Sequence, residues 1–138
     1  MFIIKIVSAL ATVIAIYQFM VWFNDFTYKE ARYRFFSIRS FGWYAGSYIA
    51  IYAGHQMFVS HWQGDTLNGA IVLIAGIWVF IIQIQNNFKR TRPLVALAGS
   101  LAQSILYIPM TILVLAALFV ALAAASQVKP VYNLNSKD

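Results

Sequence analysis

The chain has 138 residues, a net charge of +6, 62% hydrophobic residues and only 10% charged residues. An ordinary soluble domain carries about 25% charged residues, so that class is excluded. The absence of cysteine excludes a disulfide framework, thiolate chemistry and Cys-ligated metal.

Four apolar segments, at about 2–23, 41–62, 69–85 and 94–125, hold no charged side chain except Lys5. A helix rising 1.5 Å per residue needs about 20 residues to cross a hydrocarbon layer roughly 30 Å thick. The third segment is at the short limit and the others exceed it. Backbone groups in lipid must be satisfied within a helix or a closed barrel, and the unbroken runs lack a barrel's alternation. The expectation is an all-α, integral membrane four-helix bundle forming a single transmembrane domain over 1–138.

The first segment places Lys5 ahead of an apolar run, as a signal peptide does. It continues through Tyr17, Phe19, Trp22 and Phe23 without a small-residue cleavage site, which reads as a retained anchor. Ser8/Thr12 and Ala11/Ala15 offer weak small-residue spacing on it. The connection at 24–40 then carries Lys29, Arg32, Arg34 and Arg39 between Tyr33, Phe35 and Phe36. Thr27 and Glu30 have capping-box spacing, so a short interfacial helix over about 28–38 is expected. Its rings would enter the headgroup boundary and its cations would reach phosphates.

The second segment repeats Gly42, Gly46, Ala50 and Gly54 every four residues. In lipid, helices associate through close backbone approach, and such a row is a candidate packing seam. Tyr44, Tyr48, Tyr52 and Gln56 form a parallel row about 200° away around the helix. These side chains need hydroxyl partners or a polar cavity. The third segment has Gly69 and Gly76 one heptad apart, then Gln83, Gln85, Asn86 and Asn87. The fourth would rise roughly 48 Å, so it must tilt, kink or protrude. Pro109 lacks the amide that would bond the Ile105 carbonyl, predicting a kink near 105–109. Ala117, Ala121 and Ala125 form another small row. A polar tail, 126–138, follows.

Lys29, Arg32, Arg34, Arg39, Lys89, Arg90 and Arg92 fall in the first and third connections, whereas the second has only Asp65. The positive-inside bias puts these seven residues at cytoplasmic lipid headgroups and both termini outside, as in a bacterial inner (cytoplasmic) membrane. Trp22, Phe23, Phe41, Trp43 and Trp62 lie near the expected interfaces. Anionic headgroups are the partner this charge implies; nucleic acid is not.

Candidate chemistry is sparse. Asp25, Glu30, Asp65 and Asp138 lie outside or at the ends of the segments, where they cannot act as intramembrane coupling carboxylates. His55 and His61 are six residues apart, not the i,i+4 spacing of a local two-His metal site. His55 reads as a satisfied histidine, with haem shared with a partner chain as the minority reading. No nucleophilic triad or phosphate loop is present. Gln18, Gln83, Gln85 and Gln103 gather towards the basic side, for interhelical hydrogen bonds or a wet vestibule. These readings predict no catalytic residue, cofactor or metal, hence no enzyme.

The sequence therefore points to a non-catalytic polytopic subunit that packs into and stabilises a larger membrane assembly, either with other subunits or as a homo-oligomer. One alternative is a homo-oligomeric channel or small-solute transporter, with Tyr44, Tyr48, Tyr52, His55 and Gln56 along a polar path. Another is a membrane sensor or immunity-type protein acting by protein contact.

Overall fold

The computed structural model describes residues 1–60 and 66–127. His61, Trp62, Asp65 and most of the polar tail lie outside the described residues. The chain forms four helices: α1 (Phe2–Ala31), α2 (Ile38–Val59), α3 (Thr66–Arg90) and α4 (Pro93–Gln127). Among the described residues there is no strand. Three helices, α1, α3 and α4, are long and apolar enough to cross a membrane. At 22 residues α2 has the length, but its tyrosines, serines, His55 and Gln56 leave it less apolar than the other three.

The interfacial helix expected over 28–38 is absent. Instead α1 runs on to Ala31 and ends at Arg32, whose left-handed backbone (φ 52°, ψ 32°) lets its amide donate to the Tyr28 carbonyl. Thr27 is not a cap but a buried residue inside α1, its hydroxyl spent on the Phe23 carbonyl at 3.0 Å. The capping box forms ten residues later. The Ser37 side chain accepts from the Ser40 amide, and Ser40 accepts from the Ser37 amide. Residues 32–37 are thus a tight connection between two helix ends.

That connection turns its rings inward. The Asn24 side chain clamps the Phe36 backbone from both sides: Nδ2 donates to the carbonyl at 2.6 Å, and Oδ1 accepts from the amide at 2.8 Å. Phe35 is 0% exposed and meets Phe23 and Tyr33 edge to face. Phe36 packs in the same way on Phe23 and Tyr107. With Tyr44, these rings form the core, worth roughly 0.5–1.5 kcal/mol per aromatic pair beyond area burial. The core sits at the basic end, where α1 and α3 finish and α2 and α4 begin.

Helices α2 and α3 run antiparallel at backbone contact. A side chain on Gly54 would strike the Leu73 backbone and the Gly69 carbonyl; one on Gly69 would strike Phe58 and Met57. One on Gly76 would meet Ile51 and Ala50. These closed positions explain why the two helices can touch without intervening side chains. Helix α4 starts with Pro93 in its first turn, where a missing amide is harmless, and continues unbroken through Pro109. Away from the basic end the bundle opens. Residues 2–15 of α1 and 116–127 of α4 are exposed along their length.

Candidate functional site

Several buried polar side chains meet in a network beneath the 32–37 connection, while Thr27, Ser47 and Thr111 bond back to their own helices. Gln103, 0% exposed, lies at its centre. Its Nε2 donates to the Phe35 carbonyl at 2.5 Å. Its Oε1 accepts from Asn87 Nδ2 at 2.7 Å and from the Tyr44 hydroxyl at 3.2 Å. Asn87 also donates to Ser100 Oγ at 2.9 Å and accepts from the Tyr33 hydroxyl at 2.8 Å. Ser40 donates to the Phe35 carbonyl at 2.7 Å and shares a 2.8 Å hydrogen bond with the Tyr107 hydroxyl. Tyr48 donates to the Ser104 carbonyl at 2.9 Å. Among the described residues no buried side-chain nitrogen or oxygen lacks a partner. A fully satisfied network in a low-dielectric interior rigidifies a fold and leaves no idle group for chemistry.

This geometry divides the tyrosine row. Tyr44 and Tyr48 turn into the bundle and are engaged with α4. Tyr52, His55 and Gln56 lie exposed on the opposite half of α2. The five residues do not line a common cavity. Tyr48 and Tyr52 instead border an apolar groove of about 400 Å³ between α2 and α4, with Ile49, Ile108, Thr111 and Ile112. Among the glutamines, Gln103 is central to the network, Gln83 is half-buried, and Gln18 and Gln85 are exposed.

The small-residue row on α2 also splits. Gly54 and Ala50 meet α3, but a Cβ placed at Gly42 or Gly46 meets no described neighbour within 4 Å. The seam that holds α2 to α3 passes through Ala50, Ile51 and Gly54. Ser8/Thr12 on α1 and the alanine row on α4 are exposed.

The described basic residues are all exposed but separate by position. A cleft of about 320 Å³ is lined by Arg34, Arg39 and Arg90 together with Tyr33, Ser37, Ser40, Trp43, Gln83 and Asn86. The Arg34 guanidinium stacks over the Tyr28 ring at 5.0 Å, and Arg90 over Tyr33 at 5.8 Å. Burial pushes the Tyr33 phenol above its ordinary value, and the nearby Arg90 charge works against that rise. Arg92 borders a small separate crevice with Glu30 and Thr27, while Lys29, Arg32 and Lys89 are exposed outside the cleft.

Asn24, Ser100 and Tyr107 are network members the sequence does not single out, and it marks Asn87 only as one of four amide side chains ending the third segment. Helical spacing was the available signal: Ser100, Gln103, Tyr107 and Thr111 recur at intervals of three and four on α4. No group of three or more His, Cys, Asp or Glu residues among the described residues could hold a metal ion. Comparison with family models, curated proteins and solved structures finds no match.

Proposed function

We propose that this chain is a non-catalytic, polytopic membrane subunit that stabilises a larger assembly by packing one face of α2 against a helix of another subunit. The carrying observation is the contrast between Gly42 and Gly46 and the other described glycines. Gly54, Gly69, Gly76 and Gly99 are each closed by a neighbouring residue, whereas Gly42 and Gly46 face open space. A helical glycine costs roughly 0.5–1 kcal/mol relative to alanine. At closed positions, close packing offsets that cost. At Gly42 and Gly46 nothing among the described residues does, but an incoming helix would.

In this reading α2 is a fourth span beside the three more apolar helices. Its inward hydroxyls are satisfied by α4, and His55 and Gln56 sit near its outer end. The basic end faces the cytoplasm of a bacterial inner membrane, by the positive-inside bias. The channel alternative has less support, because Tyr44 and Tyr48 are consumed by internal hydrogen bonds, Tyr52 borders an apolar groove, and His55 and Gln56 are exposed.

Gly46→Ile tests the proposal. Because no described atom beyond its own helix backbone and chain neighbours lies within 4 Å of a Cβ placed at Gly46, the protein should fold with little change of stability in detergent. Its complex with other subunits or copies should nevertheless shrink or dissociate on native gels. A complex of unchanged size would refute this reading.

A further inference from the structure

We propose that the cleft formed by the 32–37 connection, the start of α2 and the end of α3 binds the phosphate group of an anionic ligand. Three arginines line it from three separate elements: Arg34 from the connection, Arg39 from α2 and Arg90 from α3. Among the described residues no carboxylate lines the cleft, and none of the three arginines makes an ion pair with one of them.

Like charges gathered without a counter-ion repel one another, and a bound anion removes that penalty. Stacking on Tyr28 and Tyr33 orients two of the guanidinium planes without neutralising them. The Gln83 and Asn86 amides line the wall and make no hydrogen bond to a described residue. They are therefore available as neutral donors. Ser37 and Ser40 bring the N-terminal end of α2 to the rim, adding the positive end of its dipole.

A phosphate suits this set better than a carboxylate. It has more acceptor oxygens, can carry more than one charge, and accepts forked hydrogen bonds from several arginines at once. The volume, about 320 Å³, accommodates a headgroup-sized moiety and lies near the lower bound of small-molecule sites, roughly 300–1,000 Å³. A phospholipid headgroup and a soluble phosphorylated solute share this chemistry. Half-exposed Trp43 at the edge is compatible with both.

The experiment uses the full chain in a nonionic detergent, titrated with phosphatidylglycerol or phosphatidylcholine and read by native mass spectrometry. Inorganic phosphate serves as competitor and is also titrated alone by calorimetry. We expect the wild type to bind phosphatidylglycerol in preference to phosphatidylcholine, or to bind inorganic phosphate directly. Arg39→Gln/Arg90→Gln should weaken the binding seen by about tenfold or more, the scale of a lost charge-assisted hydrogen bond. Lys89→Gln/Arg92→Gln removes equal charge at the same end but outside the cleft, and should cost much less. Phosphate that binds alone and displaces the lipid identifies a soluble phosphorylated ligand; phosphate that does neither, while the lipid remains bound, identifies a lipid headgroup. Equal losses in the two double variants would overturn the site as diffuse surface charge. So would equal retention of both lipids with no phosphate binding. Circular dichroism of each variant checks that the helices are intact.

Discussion

The ring of Phe35 occupies the place where a side chain on Gly99 would stand. Built on Gly99, a Cβ atom would overlap the Phe35 ring, which is itself 0% exposed. The first connection is therefore keyed into α4, and the keyhole is a single missing methyl group.

Gly99→Val should destabilise the protein by about 1–3 kcal/mol or more, because the Phe35 ring and its aromatic neighbours must move. The measurement is reversible unfolding in mixed detergent and dodecyl sulfate. Combining it with Phe35→Ala should give a loss smaller than the sum of the two single losses, as coupled residues do. Strict additivity would show that the two positions do not share this volume.

Gln103 holds the connection, α2 and α3 through three different partners. Gln103→Leu keeps the bulk but leaves the Tyr44 hydroxyl without its acceptor, takes one of the two acceptors of the Asn87 amide, and removes a donor to the Phe35 carbonyl. A loss of about 1–3 kcal/mol follows from leaving buried polar groups unpaired. Gln83→Leu, at a half-buried position with no such partners, should change stability by under about 0.5 kcal/mol. Similar effects from the two variants would show that the network contributes little to holding the fold.

Arg32 is the one described non-glycine residue with positive φ. A left-handed backbone costs an L-residue roughly 1–2 kcal/mol relative to its preferred region, a penalty glycine escapes. Arg32→Gly should accordingly raise unfolding stability by up to about 1 kcal/mol while α1 still ends at the same place. A drop would mean that the Arg32 side chain has a stabilising role that outweighs its backbone.

Tyr33 should give the protein an alkaline weakness. Its phenol is raised above the ordinary value of 10.0 by burial, against the opposing Arg90 charge. The folded state therefore holds this proton more tightly than the unfolded state. Its stabilising contribution is whole below pH 10.0 and falls as pH rises through the folded-state value. Unfolding midpoints measured between about pH 8 and about pH 11 should decline less steeply for Tyr33→Phe than for the wild type. Parallel declines would show that Tyr33 does not contribute to the pH dependence.

Length and hydropathy sufficed to identify the helices, because a long uncharged run has one satisfactory arrangement in lipid. Their ends were less legible. The connection at 24–40 looked amphipathic, but its rings were drawn into a cavity made by Gly99 and Gln103, more than 60 residues away along the chain. The Thr27/Glu30 spacing was a genuine local pattern that lost to continuation of α1 and to the cap at Ser37. Periodicity marked the small residues of α2, but could not say which met α3; the register with Gly69 and Gly76 decided that. It also marked seven cations at one end without showing that Arg34, Arg39 and Arg90 alone among them converge on one cleft.

The sequence by itself determined a helical protein built on four long apolar segments with most of its basic charge at one end, since hydrophobic length and local backbone bonding are properties of each segment alone. The tertiary structure decided which glycines are filled, which hydroxyls are paired and which arginines share a space. Those outcomes depend on side chains far apart in sequence meeting at ångström distances, and no single segment contains that information.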